Sequence, residues 1–184
     1  MALESTFRHL ACCLHRLHDA LNAIEVTLGD KPPNDEAAVA DGIERLVLDI
    51  MGTLHDTRQG ALNAQAAVGR PVDLDMARRA LATCNGSFHD FEQQFASGLA
   101  SYQQLKELAR LGSARRAWQP WSATVSQEIE QCQPLLHEAS MALAECWQEL
   151  AEHSGQTSIS IRTESLGQKI LAKGAHEAVG SSSS

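Results

Sequence analysis

Residues 3–28 read LESTFRHLACCLHRLHDALNAIEVTL and place Leu3, Phe7, Leu10, Leu14, Leu17, Leu21, Ile24 and Leu28 at alternating steps of four and three. That period keeps one apolar stripe on one face of a helix packed in a bundle or coiled coil. The pattern stops at Gly29, and Pro32-Pro33 cannot extend it because proline has no N–H for the helical ladder.

The same period returns three times. Asn34 or Asp35 can cap a second helix whose stripe is Val39, Ile43, Leu46, Val47, Ile50, Leu54, Ala61, Ala64 and Val68. Gly42, Gly52 and Gly60 each cost this helix about 1 kcal/mol relative to alanine, yet the periodicity runs through them. Gly69-Arg70-Pro71 closes it, and Asp73 caps a third helix carrying Leu74, Ala77, Leu81, Cys84, Phe88, Phe91, Phe95, Leu99, Tyr102, Leu105 and Leu108. Gly112 stops that one. A fourth helix starts between Ser113 and Pro120 and ends near Ser154, with Trp118, Trp121, Val125, Ile129, Cys132, Leu136, Ala139, Leu143, Cys146 (or Trp147) and Leu150 on its seam. Pro120 suits a first turn, whereas Pro134 falls inside the helix and is expected to kink it.

Helices of roughly 26 to 38 residues are about 40 to 57 Å long, and short connections make sequential neighbours antiparallel. The expectation is an all-α, antiparallel up-down-up-down four-helix bundle over residues 1–155 with an extended C-terminal tail. The rival arrangement is a pair of helical hairpins completed by a second copy. After Gly155 the sequence TSISIRT alternates polar with β-branched residues, a strand signal in an otherwise helical chain. Residues 156–171 read as an extended docking-type segment, and the Gly/Ser/Ala-rich residues 172–184 as a disordered tail.

Composition bounds what the chain can do. Its 184 residues and 43% apolar content suffice for one core without disulfides. A formal charge of −8 gives no basic footprint for nucleic acid. No run approaches the roughly 18 apolar residues of a spanning helix, so no integral membrane insertion is expected. The N-terminus lacks a basic, then apolar, leader, which points to the cytoplasm, where the five cysteines stay free thiols.

Several constellations could carry chemistry. The first helix holds His9, Cys12, Cys13, His15 and His18 at spacings of three and four, a pattern for metal or redox chemistry, though the residues spread around the outer and flanking positions. No histidine has a glutamate three residues before it, which disfavours a carboxylate-bridged di-iron bundle. His55, with Arg58 and Gly60, loosely follows a His phosphotransfer arrangement. Arg115, Arg116, Trp118 and Trp121 combine cations with indoles, as binding patches do; the plainer reading is that the tryptophans close the bundle end.

No nucleophile elbow, phosphate loop or zinc-helix motif is present, so neither an enzyme nor a cofactor is expected. Ile159, Ile161, Leu166 and Ile170 are too apolar for an idle linker, and a strand-like segment needs something to pair with. The sequence therefore suggests a non-enzymatic adaptor or assembly protein that docks on another protein through this tail. The alternatives are a metal- or redox-responsive bundle and a His phosphotransfer module. Long amphipathic helices are also compatible with a homodimer.

Overall fold

A computed structural model describes residues 2–33, 36–69, 72–111 and 115–155. They form four helices: α1 (Ala2–Gly29), α2 (Ala37–Ala67), α3 (Leu74–Leu111) and α4 (Arg115–His153). Each α1 residue of the 4-3 stripe, from Leu3 to Leu28, is buried. The stripe was long enough to specify a helix, and burying it against α2 and α4 supplies the stability that helix propensity alone does not.

The helices enclose one core. α2 packs most extensively on α3, followed by α1 on α4 and α1 on α2, while α3 and α4 share the thinnest contact. Specific contacts order the pairs. Gly60 abuts Cys84 and Gly98 abuts Ile50, so numbering falls along α3 as it rises along α2. Arg58 of α2 reaches His15 of α1, and Lys31, just past the end of α1, reaches Glu44 near the start of α2. The Trp121 indole donates to the Thr27 carbonyl, and the Cys146 thiol to that of Thr6, across α1 and α4.

Local chemistry sets the ends. Asp73 caps α3 as expected, its Oδ1 accepting the Met76 N–H at 2.9 Å. Glu36 stands at the N-cap of α2 without a side-chain cap bond; Asn34 and Asp35 lie outside the described residues. Lys31 holds the first connection to α2 through Asp41 (2.6 Å) and Glu44 (3.1 Å), and these bonds raise its pKa. α4 begins at Arg115, so Pro120 sits in its second turn rather than its first. Gly155, at φ 65°, turns the chain out of α4 in the left-handed region, where glycine carries no Cβ penalty.

Two ends of the apolar stripes differ from a strict heptad. Val39 is exposed and Ala40 buried; Leu108 is exposed and Ala109 buried. A helix of 3.6 residues per turn drifts about 20° per heptad against a seven-residue repeat, so the inward position shifts by one near the ends of long helices.

Candidate functional site

The histidines and cysteines of α1 divide between two faces. On the α4 side, Cys13 is buried with its Sγ 3.7 Å from His9 Nε2, and burial followed by the nearby Glu138 pushes the thiol pKa up. On the α2 side, Arg58 donates to His15 Nδ1 at 3.2 Å, which leaves the His15 proton on Nε2, 3.5 Å from Asp19. His18 shares that face, near Asp19 and under the influence of Arg58, His15 and His55. Among the described residues no group of three or more His, Cys, Asp or Glu side chains could hold a metal ion. His55 is exposed, whereas Gly60 faces the core against Cys84 and Arg58 is engaged with His15. The three residues of the phosphotransfer arrangement are therefore not gathered around one imidazole.

Burial, then Arg58, lowers the His18 pKa below its ordinary 6.5. Below that pH the unfolded chain takes up the proton more readily than the folded one, so stability falls with pH. The His18 contribution is intact above about pH 6.5 and is lost as pH drops through the lower folded value. The urea midpoint is expected to decrease between pH 7.5 and pH 5.5, and His18→Gln to flatten that decrease. An unchanged slope in the variant would remove His18 from the acid response.

Four of the five free thiols are buried, and only Cys12 is exposed. Desolvation pushes Cys84 and Cys132 up to about 12 and raises Cys146 as well, with Cys84, Glu145 and Cys13 adding to its shift. Since the thiolate is the nucleophile, these groups are unreactive at neutral pH. Brief alkylation of the native protein is expected to add one group, at Cys12, and alkylation in urea to add five. Comparable native labelling of Cys84 or Cys132 would contradict this burial.

The tryptophans belong to the core end of the bundle. Trp118 and Trp121 are buried in an edge-to-face pair with centroids 5.0 Å apart, and Trp121 Nε1 donates to Thr27 O at 2.8 Å. Arg116 is exposed, so the indoles do not share a surface patch with it. Arg115 opens α4. Ile159, Ile161, Leu166 and Ile170 lie outside the described residues.

The feature that the sequence did not single out is the seam between α3 and α4. Tyr102 bridges it: its hydroxyl donates to the Ser122 carbonyl and accepts from the Ser126 hydroxyl at 2.9 Å. Beside this bridge a groove of about 390 Å³ opens, lined by Lys106 and Arg110 of α3 and by Gln119, Ser122, Ser126, Gln127 and Glu130 of α4. Separately, an apolar cavity of about 30 Å³ lies among the four helices, lined by Leu99, Tyr102, Val125 and Ile129 and by Leu21 and Ile50. Leu99 and Ile129 are only half-buried. The amides and hydroxyls of the groove can donate to and accept from polar groups of a ligand. The signal in the sequence was the Ser122/Ser126 pair, one turn apart on either side of Val125.

No protein-family model, curated protein or solved structure matches the chain.

Proposed function

We propose that the protein is a non-enzymatic adaptor or assembly protein: an up-down-up-down four-helix body that presents residues 156–171 as a docking segment for another protein. The observation that carries this reading is the completeness of the core. Apart from Val39 and Leu108, the apolar stripes from Leu3 to Leu150 are taken up within the four helices, and Gly155 then turns the chain off α4. Ile159, Ile161, Leu166 and Ile170 are therefore surplus to the bundle, and apolar surplus on a chain of this charge is the signature of an interaction element. The opposed contacts of α1 with α2, α2 with α3 and α1 with α4 support the alternating topology. No helix of the described residues is long and apolar enough to cross a membrane.

The test compares the full chain with one ending at Ser154 in a crosslinked capture from source-cell lysate, after circular dichroism shows that both are helical. A partner that is retained by the full chain and lost with the tail supports the docking role. Recovery of the same partners by both would move recognition to the bundle surface and overturn this reading.

A further inference from the structure

We infer that the Arg58–His15 bond is a proton-operated latch on the α1–α2 seam: a proton on His15 Nδ1 releases Arg58 and leaves Asp19 as the partner of His15. The inference goes beyond the docking reading and does not depend on the tail.

The bond itself sets the rule. An Arg58 Nη lies 3.2 Å from His15 Nδ1, and a guanidinium can only donate, so Nδ1 must offer its lone pair. The imidazole proton is then on Nε2, which lies 3.5 Å from Asp19. A second proton can enter only at Nδ1. It removes the acceptor that Arg58 uses and turns the ring into a cation facing a cation. The same proton strengthens the pair with Asp19. His15 thus exchanges one neighbour for the other in the pH range where histidines titrate.

The surroundings favour release. His15, His18 and Asp19 of α1 act on one another and on His55 and Arg58 of α2. Burial and then Arg58 lower the His18 pKa, and His15 and His55 add to that shift against Asp19, so cations already crowd this face. Asp56 of α2 is exposed next to His55. On the α4 flank of α1, Arg16 pairs with Glu138 at 2.6 Å, so that carboxylate is engaged rather than free to take up Arg58.

The other polar tie between these helices behaves differently. Lys31 holds the end of the seam through the carboxylates Asp41 and Glu44, which a histidine proton does not affect. Acid therefore unties the middle of the seam while its end stays tied. It also adds positive charge beside a freed Arg58, on a chain whose formal charge is −8.

The test is NMR of the full chain at pH 7.5 and pH 5.5. Imidazole ¹⁵N signals report the tautomer and charge of His15, and the nuclear Overhauser contact between Arg58 and the His15 ring reports the latch. The expected result at pH 7.5 is a neutral His15 with its proton on Nε2 and Arg58 in contact. At pH 5.5 the ring should carry both protons and the contact should fall at least fivefold. His15→Gln keeps an acceptor oxygen that does not titrate, at an exposed position, so the contact of Arg58 with that side chain should change less than twofold over the same range. A neutral His15 with its proton on Nδ1 would overturn the inference, since Arg58 could not donate to it. So would an Arg58 contact that persists at pH 5.5, or a fall in His15→Gln as large as in the parent.

Discussion

Gly60→Ala is expected to destabilise the protein by about 1–3 kcal/mol or more, the cost of overpacking a tight helix contact. A Cβ at position 60 would lie 3.0 Å from both the Cα and the N of Cys84, so it meets backbone that cannot rotate away. The α2 and α3 axes would have to separate at the most extensive contact in the bundle. Because the obstruction is main chain, adding Cys84→Ala should not restore stability. Gly52→Ala is the control on the same helix: a Cβ there meets nothing within 4 Å, and the exchange should stabilise by up to about 1 kcal/mol. Urea unfolding followed at the helical band distinguishes the two. Equal stability of Gly60→Ala and the parent would mean that α2 and α3 do not approach as closely as described.

Tyr102 carries the second large effect. Tyr102→Ala is expected to cost about 3–5 kcal/mol, as truncation of a buried aromatic does. Tyr102→Phe isolates the hydroxyl and should cost about 1–2 kcal/mol, because the Ser122 carbonyl and the Ser126 hydroxyl lose a buried partner. The loss should be local as well as global. Amide exchange in the first half of α4 should accelerate more than exchange in α1, since Tyr102 bridges the seam with the thinnest contact. Unaltered stability and uniform exchange in Tyr102→Phe would show that the hydroxyl does not hold this seam.

The four helices were legible because their apolar periods are long and uninterrupted, and the tryptophans were legible as end-closing core residues. What periodicity reports is which face of a helix turns inward. It does not report how closely the neighbour sits. Gly60 therefore looked like Gly42 and Gly52, an entropic cost, although it alone is pressed against another backbone while those two face open space. The same limit hid the groove, since Lys106, Gln119 and Gln127 look like ordinary surface residues until α3 and α4 part beside them. The α1 ligands illustrate a third limit. His9 with Cys13, and His15 with His18, have helical spacing, yet the two pairs face α4 and α2 respectively, and spacing along one helix cannot say which neighbour each turn meets.

A docking role for residues 156–171 requires that the bundle be finished at Gly155. The direct measurement is urea unfolding of residues 1–155 beside the full chain. The predicted result is a cooperative transition with nearly the same dependence on urea and nearly the same stability as the full chain. A truncated chain that fails to fold, or that unfolds with a much shallower dependence on urea, would contradict the account by making the last residues part of the core.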